Sequence, residues 1–435
     1  MLKGKKGRLI EMREIRIPYG KGVQLLHVEE EHLLAVLTPS HPVTEGKTQE
    51  ELVEQALLHP IGAPRVSELA RDKKKILLIT SDHTRPVPSR ITLPLYLQEL
   101  RRGAPDAEIT ILIATGMHRP TTEQELRAKM GDEIVDREKI VVHRAMNQEE
   151  MAFFGTLPSG GELWLNKLVG ESDLVVSEGF IEPHFFAGFS GGRKSILPGV
   201  ASGKTVLYNH NSRFLRSPFS RQGILEGNPI HQDMCYAAQQ AKLAFILNVV
   251  IDAEKKVIAA FAGDREEAHR AGCELCLSMT RVAPVCADIA VTSNGGYPLD
   301  QNMYQSVKGM TAGEANVRQG GVVIMCAALS DGHGGEDFYR WFAERSGAAQ
   351  VARDIEAIPP ESTRMDQWEA QILARVMEKA ACILVTGEEN RELVESMHLL
   401  WAPDADTALA KARELVGQDA TVTVIPDGVG VIVQE

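Results

Sequence analysis

Two histidines and a lysine fall within one short stretch of this chain. It reads Glu182-Pro183-His184, then Gly188-Phe189-Ser190-Gly191-Gly192-Arg193-Lys194-Ser195, then Pro198-Gly199 and Asn209-His210. Glycine and proline on either side of Lys194 let the backbone approach a ligand closely and present the amine to it. A lysine so placed suits covalent or phosphate chemistry. A nucleoside-triphosphate loop does not fit, because Gly-x4-Gly-Lys-Ser/Thr needs glycine directly before the lysine and Arg193 stands there. By itself Gly-Gly-Arg-Lys is equally a surface turn. The residues that accompany it carry the argument further.

The elements that must position these groups read as short apolar strands alternating with amphipathic helices, the pattern of α/β domains. Strands are expected at 75–80, 108–114, 139–143 and 173–177, with helices at 91–102 and 121–130. A second series is expected after Pro284, with strands at 288–292 and 321–326, a helix through Tyr304 and Lys308, and helices near 367–379 and 406–416. Two α/β domains follow from this, an N-terminal one over 1–280 and a C-terminal one over 285–435, divided in the segment 279–284. In open α/β sheets, ligands bind in the crevice beyond the carboxyl ends of the strands. The chemically rich loops fall there: Ser81-Asp82-His83-Thr84-Arg85-Pro86, Thr115-Gly116-Met117-His118-Arg119, Glu178 to His184, and Ser293 to Lys308. His118, His184, Lys194 and His210 are therefore expected to form one site in a cleft between the domains. His27, His32, His41, His59, His269 and His398 read as structural or surface histidines.

Composition narrows the function classes. The 435 residues are 44% hydrophobic, as in ordinary globular proteins, and no apolar run approaches the roughly 18 residues of a membrane span. The start, Met1-Leu-Lys-Gly-Lys-Lys-Gly-Arg8, is basic, but no apolar segment of a secretory signal follows it, which points to the cytoplasm. A net charge of −12 offers no broad basic face, so nucleic acid is not an expected partner. Six cysteines in so long a chain are too sparse for a disulfide scaffold. Cys273-Glu-Leu-Cys276 lies in a helical stretch, 265–279, and has no second pair at zinc-finger spacing.

Together the motifs resemble the nickel-pincer lactate racemase family, whose members interconvert the enantiomers of 2-hydroxy acids. The matching segments are Asp82-His83-Thr84-Arg85-Pro86, Ala114-Thr-Gly-Met-His118-Arg119, Pro183-His184 through Lys194 to Pro198-Gly199, His210, and Pro298-Leu-Asp-Gln-Asn-Met-Tyr304-Gln305-Ser-Val-Lys308. They cover nearly the whole chain. The resemblance implies that Lys194 carries a covalently attached pyridinium-3,5-bisthiocarboxylic acid mononucleotide. Nickel would be held by a ring carbon and two sulfurs of that group and by His210. Imidazole and soft sulfur suit nickel in a square-planar setting. It further implies that Asp82, His83, Thr84, Arg85 and Pro198 line the mononucleotide, and that Arg85, Gln305, Lys308 and, less directly, Tyr304 and Trp368 meet the substrate. His118 and His184 would be the two bases, one for each enantiomer, around a hydride transfer that passes through a 2-keto acid. Cofactor-synthesis enzymes would be needed for maturation.

Three other readings stay open at this stage. One is a Schiff-base or pyridoxal-phosphate lysine enzyme, in which His210 would have no metal to bind. Another is a nickel- or nucleotide-binding relative without activity. The last is the same chemistry on another 2-hydroxy acid, such as malate, a longer aliphatic or aromatic hydroxy acid, or a sugar acid.

Overall fold

The computed structural model describes residues 11–40, 46–252 and 254–434. The basic start of the chain and His41 lie outside them. The chain forms two compact units, one made of residues 41–210 and 216–279, the other of residues 1–40, 211–215 and 280–435. No helix among the described residues is long and apolar enough to cross a membrane.

The first unit is built on a six-stranded sheet. Strands Lys75–Ser81, Glu108–Ala114, Lys139–Val142, Leu174–Phe180 and Leu243–Ile251 run parallel, and Val257–Gly263 closes one edge antiparallel to 243–251. The expected strands at 75–80, 108–114, 139–143 and 173–177 are present within a few residues. They are apolar at nearly every position because helices cover both faces of a parallel sheet. Along strand 75–81, Ile76 and Leu78 enter the same buried cluster as Leu93, Tyr96, Leu97 and Leu100 of helix Ser89–Gly103. Those helical positions recur at three and four residues, which places them on one face.

The second unit carries a six-stranded, fully parallel sheet ordered 400–402, 380–385, 317–326, 287–293, 422–425 and 33–36. One face is covered by helix Ala405–Val416 through Ala405, Ala408, Leu409 and Ala412, and by Ile15, Ile17, Leu26 and Val28 of the hairpin 12–29. Helices Met303–Ala315 and Gln367–Lys379 carry the polar residues singled out above. The grouping of residues 1–280 into one domain does not hold for the chain's beginning. Strand 33–36 pairs with 422–425, so the edge amides find partners at the opposite end of the chain rather than in the sheet that follows in sequence.

The sheet of the first unit holds its carboxyl-end loops through a buried acid. Glu178 is enclosed and accepts hydrogen bonds from the hydroxyls of Thr80, Ser89 and Thr92, the Ser89 contact being 3.1 Å. Those hydroxyls flank the 81–88 loop on both sides. Replacing Glu178 by alanine strands the buried hydroxyls of Thr80 and Ser89, while that of Thr92 keeps the Pro88 carbonyl at 3.2 Å. The Glu178→Ala protein is expected to lose about 2–4 kcal/mol of unfolding free energy, read as a lower urea midpoint by circular dichroism. An unchanged midpoint would show that the hydroxyls find other partners at no cost.

Candidate active site

In the first unit, strand ends place the predicted groups beside one another. Asp82 follows strand 75–81 and is buried, and its Oδ2 lies 2.7 Å from Nδ1 of His118, which follows strand 108–114. Thr84 donates to Asp82 Oδ1 twice, from its amide at 3.1 Å and its hydroxyl at 2.6 Å, and Arg85 donates to the Thr84 hydroxyl at 2.8 Å. Burial alone would raise the Asp82 carboxyl. The hydrogen bonds from His118 and Thr84 and the charge of Arg85 outweigh it and hold the group at about 2. Asp82 is thus a fixed carboxylate that orients His118 and keeps its proton on Nδ1, which directs Nε2 away as the basic nitrogen. His83 turns from this pair and meets Thr121 at 3.1 Å, its ring held below the usual histidine range chiefly by burial.

The second cluster is the turn 184–199. Gly191 and Gly192 adopt φ of 76° and 51°, and a Cβ on Gly192 would lie 2.8 Å from the His269 ring, so only glycine allows this approach. A 3-10 turn over Gly192–Ser195 then carries Lys194 to 3.1 Å from His184 Nε2. The Ala187 amide donates to His184 Nδ1 at 3.2 Å. That bond orients the ring so that Nε2 faces the Lys194 amine. Phe185 stacks on His184 with ring centres 5.1 Å apart, and Phe186 meets both His184 and His210 edge-on.

His210 ends helix Gly203–Asn209 and is enclosed. Burial, with Lys194 adding, pulls it down to about 3, so it is a neutral imidazole, the form that binds metals. Its Nδ1 donates to Val206 O at 3.0 Å, which puts the lone pair on Nε2. No three His, Cys, Asp or Glu side chains form a metal-binding group among the described residues. A metal on His210 therefore needs donors from a bound group. A soft, multidentate ligand attached at Lys194 suits that requirement. Pro198 lies in the same turn, and its carbonyl is where a Cβ on Gly116 would make contact, at 3.6 Å.

In the second unit, Asn302 caps helix 303–315 by accepting the Gln305 amide at 3.0 Å, and Asn294 donates to Gln305 O at 2.6 Å. Gly309 brings this helix against strand 287–293, since a Cβ there would lie 2.6 Å from Ser293 O. Lys308 Nζ donates to Gln305 Oε1 at 2.6 Å, and Trp368 Nε1 donates to the Tyr304 hydroxyl at 3.0 Å. Lys308 with Gln305 and Trp368 with Tyr304 thus form two pairs, three of the four residues lying on helix 303–315.

Several residues of these groups escaped the sequence reading. Glu369 is fully enclosed, and neither carboxyl oxygen has a hydrogen-bond partner among the described residues. Burial pushes it up to about 8 against the pull of Lys308, with Asp366 adding to the rise. Its one sequence signal is an acid on the apolar face of helix 367–379. Lys129 reaches Arg85 O at 3.2 Å. Arg193, beside Lys194, is buried with His269 and meets the half-buried His231, and the spacings His231-x3-Cys235 and His269-x3-Cys273 put each pair on one helix face. Cys273 and Cys276 are buried in helix Glu267–Thr280.

Fold and site together define a two-unit α/β enzyme with a lysine and two histidines beyond strand ends and a third histidine at a helix end. The lactate racemase N-terminal domain model matches residues 19–223 and the lactate racemase C-terminal domain model matches residues 282–433. The lactate racemase of Thermoanaerobacterium thermosaccharolyticum is 53% identical over 98% of this chain and all of its own length. That of Lactiplantibacillus plantarum is 49% identical over 97% of this chain and all of its own length. The apoprotein structure of the former superposes with a TM-score of 0.95, covering 97% of this chain and all of that one. A Thermotoga maritima protein, 21% identical and with a TM-score of 0.62 over 90% of this chain and 98% of that one, shares the fold. The chain belongs to the lactate racemase family, a family of isomerases.

The state of Glu369 has a stability signature. Unfolded, its carboxyl ionises near 4.3; folded, it holds its proton to about 8. Between those values the unfolded chain binds fewer protons, so this group makes stability fall as pH rises and contributes no further change above about 8. Glu369→Gln removes that loss. Its melting temperature relative to the unmodified protein is expected to climb from pH 4.5 to 8, and a constant difference would show that Glu369 is already charged.

Proposed function

We propose that this protein racemises a 2-hydroxy acid, with lactate as the reference substrate, using a nickel-pincer mononucleotide attached to Lys194. The single observation that supports it most is the 3.1 Å approach of His184 Nε2 to Lys194 Nζ, which joins a candidate base to an amine suited to covalent attachment. His210, held neutral, is the metal ligand, while Asp82, His83, Thr84, Arg85 and Pro198 hold the mononucleotide. When bound, the group supplies a reversible acceptor for the hydride on the substrate's hydroxyl-bearing carbon.

The chain's own residues do the rest. His118 and His184 exchange the hydroxyl proton, each serving one enantiomer, because inversion requires a base for each configuration. Asp82 stabilises His118 when it becomes charged. Lys308 and Arg85 answer the substrate carboxylate, Gln305 holds the Lys308 ammonium in place, and Tyr304 with Trp368 flanks the substrate side chain. The same residues would act on malate, longer aliphatic or aromatic hydroxy acids or a sugar acid. The presence of both candidate bases, His118 held by Asp82 and His184 beside Lys194, favours an active enzyme over a binding relative.

Protein made alongside the cofactor-synthesis enzymes is expected to hold about one nickel per chain and to show added mass on the peptide containing Lys194. Lys194→Ala should lose both adduct and racemisation, while His210→Ala should chiefly lose nickel. Full racemase activity from unmodified, nickel-free protein would overturn the assignment.

A second test separates catalysis from binding. His118→Ala and His184→Ala should each slow racemisation in both directions by roughly 10²–10⁴-fold while adduct and nickel remain. His59→Ala and His398→Ala should not. Undiminished rates in either base variant would refute the two-base scheme.

A further inference from the structure

Beside the Lys194 turn, within the first unit, lies a cavity of about 200 Å³ that the proposed reaction does not use. Arg193, His231, Arg265, Glu266, His269 and Arg270 line it. Arg193 and His269 are buried, whereas Glu266 and Arg270 are exposed, so the cavity runs from a charged mouth to a buried floor. Its volume is an order of magnitude above the roughly 10–15 Å³ that one water needs.

Charge decides what fits. Burial and the neighbouring Arg193 pull His231 down to about 3, and burial followed by Arg193 holds His269 well below its ordinary value, so both rings are neutral. The Cys235 thiol, 3.4 Å from His231 Nε2, is pushed up by burial and is no counter-ion. Three guanidinium groups therefore face one carboxylate, Glu266, which already meets Arg265 at 3.3 Å.

Arg193 is the anomaly. It donates to His231 Nδ1 at 3.0 Å, to the carbonyls of Ala187 at 2.8 Å and of Ser190 and Gly191 at 3.3 Å, and stands 2.9 Å from His269 Nε2. His231 Nδ1 and the carbonyls accept from its N–H groups, His269 Nε2 gives its own N–H to Ser190 O at 2.8 Å, and no carboxylate is among these contacts. A buried charge compensated only by dipoles is costly. Arg265 adds a buried Nε with no hydrogen-bond partner among the described residues.

We propose that this cavity binds a small phosphate-class oxyanion, in a site separate from the Asp82–His118 and His184–Lys194 pairs. A dianion matches the surplus of positive charge, and guanidinium forks match its oxygens. The same Arg193 holds the carbonyls of the turn that presents Lys194. An occupant would thus compensate the charge on which that turn is built.

Full-length protein without cofactor suffices for the test. Inorganic phosphate, against chloride at equal ionic strength, should raise the melting temperature in a saturable way, as a ligand of the folded state does, with matching heats in calorimetry. Arg270→Gln, an exposed change that should leave the melting temperature in chloride unaltered, is expected to weaken phosphate at least about tenfold, as is Arg265→Gln. Arg85→Gln should leave the phosphate effect intact, which separates this cavity from the mononucleotide-holding residues. Glycerol phosphate identifies the source: binding that depends on Arg270 means a terminal phosphate is accepted, and binding of inorganic phosphate alone means the free ion. No saturable shift, a shift indifferent to Arg270→Gln, or one lost in Arg85→Gln would overturn the proposal. None of these outcomes bears on racemisation.

Discussion

The guanidinium of Arg193 is the contact around which the lysine turn is organised. Backbone carbonyls from three residues, 187, 190 and 191, point at one buried cation. Carbonyls converge on one point only if the chain curls around it, and the positive φ of Gly191 and Gly192 makes that curl possible. Adjacent side chains in a 3-10 turn leave in different directions. With Arg193 committed to the floor of the turn, Lys194 is delivered toward His184. The charge beneath the turn and the amine above it are two consequences of one backbone path.

The same economy governs the acids. Asp82 and Glu369 are both enclosed, yet they stand in opposite protonation states. Asp82 accepts bonds from His118 and Thr84, which stabilise the charged form beyond the cost of burial. Glu369 accepts none among the described residues, and desolvation prevails. The first can orient the His118 imidazole. The second leaves the Lys308 corner less negative than its composition suggests.

The scaffold explains why these groups lie on loops. A parallel sheet covered on both faces has little room for chemistry except at its strand ends. In the first unit Asp82, His118 and the 181–199 segment follow three strands, 75–81, 108–114 and 174–180, with 75–81 between the other two. Glu178 holds the bases of two of those loops through hydroxyls rather than through charge pairs. Such a tie fixes position without placing a second cation beside the site.

The sequence by itself determined the α/β class, most central strands and the family, and so the strand-end positions of Asp82 and His118. Strand periodicity, turn residues and short motifs are local properties, so they survive in one dimension. It did not determine that strand 33–36 completes the second unit's sheet, because edge pairing between chain ends depends on which apolar faces remain uncovered after folding. Nor did it reveal Glu178 as a hydroxyl anchor, Glu369 as a buried acid, or His231 and His269 as neutral partners of Arg193. Their roles rest on desolvation and on neighbours 38 to 98 residues away in the chain for Arg193 and Glu178. A side chain's charge and partners are set by the dielectric and dipoles around it, and only the tertiary structure brings those together.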